Sequence, residues 1–497
     1  MTCKRFIAFD LGAESGRAIV GLLDKHNNKL SCEEIYRFAN NPVEINGHLY
    51  WNVLSLYANL IEGLKVYALK FGDELDGIGI DTWGVDYGLL DKKGNLLSNP
   101  FHYRDAKNIG TDVIIEKCIG RKRLYELTGV QLMTINTVNQ LVTMVRDESP
   151  LLPQASNILF IGDLLHYFLT GTKKVDYTMA TISQLYNPLT NQWDKEIFDA
   201  LGIPYELVTE ISRPGEVVGM LNENLAAKTG LKPVPVIAPA VHDTASAAVA
   251  VPATKKQDWA FLSSGTWSIL GVEVDKPIID DNSCNLNISN SGGALGKTLY
   301  LKNVMGLWVL QCCKRLWEKK DPELTYETLT ALAGSAEPFA AFIDPDDYIF
   351  LNPSDPVDAI NLYLKKTGQI SLDQNDLATI TRVILEGLAL KYRYVLEKLQ
   401  ESTDRRFEVL HIIGGGSKNT LLNRFTANAL QIPVIAGPDE ASAIGNIMIQ
   451  SVGAGCYNTL QEIRNVVENS FQLKNYEPSG KESWDNAFIK FVQVLKN

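Results

Sequence analysis

The chain is an α/β protein by prediction, on three observations. Short β-rich stretches alternate with longer stretches of helical spacing along its whole length. A turn of glycine, serine and polar residues between two apolar strands recurs at three separate places. Apolar stripes at 3.6-residue spacing are plain in the second half.

The first strand pair spans residues 6–24 around the turn Gly12-Ala13-Glu14-Ser15-Gly16-Arg17. The second spans 78–97, with Asp81-Thr82-Trp83-Gly84-Val85-Asp86 at its centre and Lys93-Gly94-Asn95 as a later turn. The third begins at Trp259 and repeats the opening design around Ser263-Ser264-Gly265-Thr266. This recurrence implies an internal duplication with halves ending near Val251 and beginning near Asp258. The polar, proline-led segment 252–257 is the hinge candidate. We therefore expect an N-terminal lobe over 1–251, a C-terminal lobe over 252–457 and an extension over 458–497. A helix from Ile380 shows its stripe in Val383, Ile384, Leu388, Val395, Leu396 and Leu399. A loop at 476–481 precedes a closing helix from Trp484.

Composition narrows the function classes. The 497 residues carry 47 Lys+Arg against 58 Asp+Glu, a formal net charge of −11. No basic cluster relieves that balance, so a nucleic-acid-binding surface is not expected. No run approaches the ~20 apolar residues of a membrane span, and Asp10 interrupts the N-terminal apolar stretch too early for a signal peptide. The seven cysteines form no CxxC pair, which argues against zinc ribbons and disulfide frameworks and for reduced thiols in a cytoplasm.

Four segments carry candidate chemistry. Asp10 ends an apolar strand before Gly12, Ser15, Gly16 and Arg17. Backbone N–H groups, a hydroxyl and a guanidinium there suit a magnesium-bound phosphate, with the carboxylate reaching the metal through its waters. A plain hairpin turn also favours glycine and serine. The matching Ser264-Gly265-Thr266 turn strengthens the phosphate reading, since two such hairpins can clamp one polyphosphate. Next, an apolar strand runs into His242-Asp243-Thr244 and a helix of small residues. A carboxylate at a strand's carboxyl end can accept a proton from a sugar hydroxyl attacking phosphorus. Aspartate is equally a good helix cap. His242 reads as a substrate contact rather than a base.

The third segment is Leu410-His411-Ile412-Ile413-Gly414-Gly415-Gly416-Ser417, a buried strand meeting three glycines. A tight turn needs one glycine, so three imply a nucleotide or phosphate close to the chain. Downstream, Glu440-Ala441-Ser442-Ala443-Ile444-Gly445-Asn446 is a small-residue face that suits either a flat adenine or close helix packing. Trp83 with Asp81 and Asp86 suits a sugar pocket or a buried turn with a core tryptophan. No GxGxxG occurs, and Gly292-Gly293-Ala294-Leu295-Gly296-Lys297-Thr298 lacks the Walker spacing.

The order Asp10-Leu11-Gly12, Ser15, Arg17, then His242-Asp243-Thr244, Ser264-Gly265-Thr266-Trp267 and Gly414-Gly415-Gly416-Ser417 resembles the FGGY carbohydrate kinases from Phe6 to about Gln450. The resemblance implies an actin-like ATPase fold of two ribonuclease-H-like lobes with a central catalytic cleft. The longer matches are Ile80-Asp81-Thr82-Trp83-Gly84-Val85-Asp86, Tyr103-Arg104-Asp105, Ser263-Ser264-Gly265-Thr266-Trp267-Ser268 and Lys302-Asn303-Val304-Met305-Gly306-Leu307-Trp308. They imply phosphorylation of L-rhamnulose at its 1-hydroxyl by ATP, with Mg²⁺, in rhamnose breakdown. By position, Asp243 matches the family's general base. Ala13, Glu14, Ser15, Gly16, Arg17, Thr266, Gln311 and Gly415 match its ATP contacts, and Gly84, His242, Asp243, Thr244 and Asn303 its sugar site. Asp10 is the expected Mg²⁺ residue, through water. Glu14 departs from the small or hydroxyl residue expected in that turn, and an extra carboxylate near phosphates is unfavourable unless it points outward or helps hold the metal. The implied partners are L-rhamnulose and ATP, with the protein a monomer or homodimer in the cytoplasm. A nucleotide-driven assembly switch is the competing class. It would share the hairpins but has no need of a sugar-pocket insert such as 81–87.

Overall fold

The computed structural model describes residues 3–496. They fall into two compact units, Met1–Thr254 with Glu273–Tyr300 and Ala441–Ser470, and Lys255–Val272 with Leu301–Glu440 and Phe471–Asn497. The first passage between them, at Thr254, lies inside the polar segment 252–257.

In the first unit a six-stranded sheet runs in the order Val217–Met220, Pro235–Ile237, Gly77–Thr82, Lys4–Leu11, Ser15–Asp24, Lys29–Ala39. Lys4–Leu11 pairs antiparallel with Ser15–Asp24, setting Asp10 opposite Arg17. It pairs parallel with Gly77–Thr82, setting Asp10 beside Asp81. Phe6, Ile7, Ala8 and Phe9 are all fully buried, which is why this strand reads as a continuous apolar run rather than an alternation. Val53–Phe71, capped by the Asn52 side chain accepting the Ser55 N–H, turns Leu56, Leu60, Ile61, Leu64 and Tyr67 inward. Its Gly63 lies so close to Phe9 that a Cβ would sit 2.7 Å from the ring.

The helix Ala441–Gly453 also belongs to this unit and packs on Lys4–Leu11, Gly77–Thr82 and the helix Asp243–Val249. A Cβ on Gly445 would fall 1.8 Å from the Ser246 carbonyl oxygen. The small-residue face at 440–446 is therefore a helix-packing surface, the second of its two sequence readings.

The second unit repeats the plan. Trp259–Ser264 pairs antiparallel with Trp267–Val274 and parallel with Val409–Ile413. Val434–Ala436 continues parallel, and Lys474–Tyr476 closes antiparallel. The first sheet has the same sequence of neighbours, antiparallel then parallel, parallel and antiparallel. The expected duplication is thus visible in topology. Leu377–Thr403 buries Ile380, Val383, Ile384, Leu388, Val395, Leu396 and Leu399, and Lys481–Val494 is the closing helix.

One expected unit is not built as read. Gly77–Thr82 and Tyr87–Leu90 do not pair with each other, because Tyr87–Leu90 joins Asn157–Phe160 in a separate ribbon. Between the two strands Val85 adopts φ +69°, a conformation costly for a β-branched residue. It is held by Thr137 Oγ1 donating to the Val85 carbonyl at 2.7 Å. The segment leaves the sheet instead of turning back along it.

Candidate active site

In the first unit the turn after Lys4–Leu11 closes with the Gly12 N–H donating to the Ser15 carbonyl at 2.9 Å. Its two glycines have different reasons. A Cβ on Gly16 would collide with the Phe38 ring at 2.3 Å, whereas one on Gly12 would meet nothing closer than 3.5 Å. Packing thus demands Gly16. Arg17 forms an ion pair with Asp10, so part of its charge is committed to that carboxylate. Glu14 is exposed and lies between Ala13 and Ser15 at the tip of the turn.

Asp81, fully buried next to Asp10, accepts the Asn446 amide at Oδ2 from 2.6 Å. Behind it, Gln450 Nε2 donates to Asn446 Oδ1 at 2.7 Å. The other oxygen, Asp81 Oδ1, is buried and has no hydrogen-bond partner. Burial first, and then the negative charge of Asp10, push the Asp81 carboxyl well above the usual carboxylate range.

Asp243 opens the helix Asp243–Val249, but His242 occupies the cap position and makes no capping bond. Asp243 Oδ1 accepts the Thr244 N–H at 2.6 Å, while about a third of the side chain stays open to solvent. A carboxylate has two oxygens, so holding the helix start with one leaves the other for chemistry. Burial and the charge of Asp10 raise the Asp243 carboxyl to about 7. The His242 ring, 3.6 Å from Asp243 Oδ1 through Nε2, has a buried Nδ1 without a partner. Burial lowers it to about 4, so it is neutral near pH 7. A Cβ on Gly84 would lie 3.4 Å from that ring and 2.4 Å from Ile182. Gly84, His242, Asp243 and Thr244 thus share one corner of the unit.

Trp83 and Asp86 belong to the wall beside it. Asp86 is wholly buried. Its Oδ2 accepts the Trp51 and Trp83 indole N–H groups at 2.5 and 2.9 Å and the Tyr103 N–H at 3.3 Å. Gln140 donates to Oδ1 at 2.9 Å. Its oxygens are occupied by the protein and hold rings in place. Trp51 stacks 4.2 Å from His102 and lies 4.1 Å from Trp83. Trp51, His102 and Gln140 carry no recognisable pattern in the sequence, and Asn446 stands there only as the end of the small-residue face.

In the second unit the hairpin turn closes with the Gly265 N–H donating to the Trp267 carbonyl at 2.9 Å. Gln311, on Trp308–Glu318, donates from Nε2 to Thr266 Oγ1 at 3.2 Å, bringing two expected ATP contacts together. The Gly306 and Leu307 N–H groups donate to the Thr266 and Gly265 carbonyls, which ties the hairpin to the end of Thr298–Met305, the strand carrying Asn303. The three glycines separate by cause. Gly414 has φ +81°, and a Cβ on Gly416 would strike Ser264 Oγ at 2.0 Å. Nothing lies within 4 Å of a Cβ on Gly415. Neither backbone nor packing demands a glycine at 415, where the space beside the Cα is open.

A divalent cation can be tested against these donors. Among the described residues no three His, Cys, Asp or Glu side chains converge as direct ligands, so a cation stripped of water is not matched. An ion of the magnesium kind keeps several waters and takes one or two carboxylates. That suits Asp10 and its register partner Asp81, whose Oδ1 is unpartnered.

Two duplicated sheets, each with a glycine-bearing hairpin between its first two strands, define an actin-like ATPase fold. Solved structures agree in fold. A ligand-bound xylulose kinase from Lactobacillus acidophilus superposes with a TM-score of 0.82 at 17% identity, over 99% of this chain and 98% of its own. A Plasmodium falciparum glycerol kinase with ADP gives 0.77 at 14%, over 100% and 98%. The family models for the N-terminal and C-terminal domains of the FGGY family of carbohydrate kinases match residues 5–250 and 260–454. The chain belongs to that family, and is a sugar kinase working with ATP and a divalent cation. A rhamnulokinase of Bacteroides thetaiotaomicron is 44% identical over 493 residues, 99% of this chain and 100% of the relative. One of Pectobacterium atrosepticum is 37% identical over 491 residues, 99% and 96%. Among the described residues no helix is long and apolar enough to cross a membrane.

Proposed function

We propose that the chain transfers the γ-phosphoryl group of ATP to the 1-hydroxyl of L-rhamnulose, giving L-rhamnulose 1-phosphate and ADP, with Asp243 as general base. The observation that carries the substrate is the 44% identity to a rhamnulokinase over essentially the full length of both chains. The observation that supports the base is a carboxyl raised to about 7 with one oxygen engaged and the side chain reachable by solvent. A base is most effective with its pKa near the working pH.

Asp243 would orient the sugar hydroxyl and take its proton as that oxygen attacks the γ-phosphorus. The neutral His242, with Gly84, Thr244 and Asn303, would place the sugar. Ala13, Glu14, Ser15, Gly16 and Arg17 would meet the phosphates through one hairpin, and Thr266, Gln311 and Gly415 would bind the nucleotide. Their contribution is positioning and electrostatic stabilisation, not covalent chemistry. Asp10 would hold Mg²⁺ through its waters, with Asp81 beside it. When bound, that ion supplies positive charge against the β- and γ-phosphate oxygens. The exposed Glu14 would contribute its backbone to the turn, its carboxylate turned to water. We place this reaction in the cytoplasm.

The test is coupled ADP release over a panel of L-rhamnulose, L-fuculose, L-ribulose, D-xylulose and glycerol. L-Rhamnulose is expected to give the highest kcat/KM. A different winner would reassign the substrate within the family.

A further inference from the structure

The backbone that delivers Asp243 is held from outside its own strand and helix. The Val241 carbonyl accepts the Thr82 N–H at 2.8 Å. The Val241 N–H donates to Asp176 Oδ1 at 3.2 Å, and the His242 N–H to Thr178 Oγ1 at 3.0 Å. The Thr178 hydroxyl donates in turn to Asp176 Oδ1. Asp176 also caps the short helix Tyr177–Ile182 by accepting the Thr178 N–H at 2.9 Å. Both side chains are wholly buried. A hydroxyl has one proton, so giving it to Asp176 leaves Thr178 only a lone pair to present to His242. The polarity of the clamp is thereby set: the carboxylate aligns the hydroxyl, and the hydroxyl fixes the peptide N–H immediately before Asp243. A local helix cap alone would need Asp176 but no second contact on residues 241 and 242.

We infer that Thr178, aligned by Asp176, is a positioning residue for the phosphoryl transfer, setting the direction in which Asp243 leaves the chain. The inference rests on Asp243 being the base. A misplacement of about 1 Å in a reacting group costs on the order of a hundredfold in rate, and the Thr178 contact is the one that holds the peptide N–H directly before Asp243. Thr178→Val keeps the shape and removes the hydroxyl, while Thr178→Ser keeps the hydroxyl.

The experiment is steady-state kinetics of the full chain with L-rhamnulose and MgATP, for both variants, alone and combined with Asp243→Asn. Thr178→Val is expected to lower kcat by roughly ten- to a hundredfold with the KM for ATP nearly unchanged, and Thr178→Ser to restore most of it. In the Asp243→Asn background Thr178→Val should cost almost nothing further, because the group it aims is gone. An equal loss in both backgrounds would make Thr178 a general fold residue and overturn the inference. So would an unimpaired Thr178→Val beside a crippled Asp243→Asn. An unimpaired Asp243→Asn would instead remove the base, and the positioning role with it. Should Thr178→Val fail to fold, Asp176→Asn, which keeps an acceptor oxygen, must show the same kcat-only loss in milder form.

Discussion

Asp10 and Asp81 are register partners on adjacent parallel strands, and the charge of Asp10 helps hold the carboxyls of both Asp81 and Asp243 above their ordinary range. Three acids drawn from residues 10, 81 and 243 thus act on one another inside a single unit, with Arg17 paired to one of them. Such an arrangement is unfavourable for folding alone and useful beside a cation and a phosphate.

The first prediction concerns pH and rate. Asp243 accepts a proton only as carboxylate, and its carboxyl lies at about 7. The kcat/KM for the sugar, measured from pH 5 to 9, should rise about tenfold per unit below pH ~6.5 and level off above ~7.5. A flat profile through this range would contradict it.

Stability should run the opposite way. A carboxyl whose pKa is higher folded than unfolded holds extra protons in the folded state. Its stabilising contribution is whole below about pH 4 and is lost as pH climbs through about 7. Asp243→Asn removes that loss. Its margin in apparent melting temperature over the wild type should widen between pH 5 and pH 8.

The glycine turn gives a paired test. Gly415→Ala meets no atom within 4 Å, so its melting temperature should match the wild type while the KM for ATP rises roughly tenfold, about 1.4 kcal/mol of binding. Gly416→Ala places a methyl 2.0 Å from Ser264 Oγ and 2.8 Å from its carbonyl. That variant should lose stability by about 1–3 kcal/mol. Differential scanning fluorimetry with ATP titration separates the two.

Asp86 is expected to matter through its neighbours. Asp86→Ala would strand the Trp51 and Trp83 indole donors and the Tyr103 N–H, while Gln140 keeps the Ile135 carbonyl at 3.0 Å. Each buried donor without a partner costs ~1–3 kcal/mol. The near-UV circular dichroism of the Trp51–Trp83 pair should collapse and the melting temperature fall. Asp86→Asn, which retains an acceptor, should lose less.

Much of this was legible in the chain itself. The two hairpins announce themselves because glycine, serine and charge must sit together in sequence to make a turn. Asp243 stands out because an apolar run stops just before it, although the strand itself ends at Ile237. Residues that meet only through the fold leave no such trace. Asn446 reaches Asp81 across 365 positions, and nothing near it tells which sheet its helix covers. Thr178 and Asp176 look like an ordinary helix start, since their reach to residues 241 and 242 is tertiary. The segment 78–97 does hold two strands, each buried throughout, but their partners lie elsewhere in the chain. The departure at Val85 has local contacts, such as the Asp86 N–H on the Gly84 carbonyl, but the Thr137 hydroxyl that holds the Val85 carbonyl comes from a distant part of the chain.

The most direct test is the turnover of Asp243→Asn, followed as L-rhamnulose-dependent ADP formation at pH 8 with saturating MgATP. Loss of the base should lower kcat by about 10²–10⁴ while ATP still binds and the protein stays folded. Turnover within twofold of the wild type would show that the proton leaves by another route, and Asp243 would keep only its place at the start of a helix.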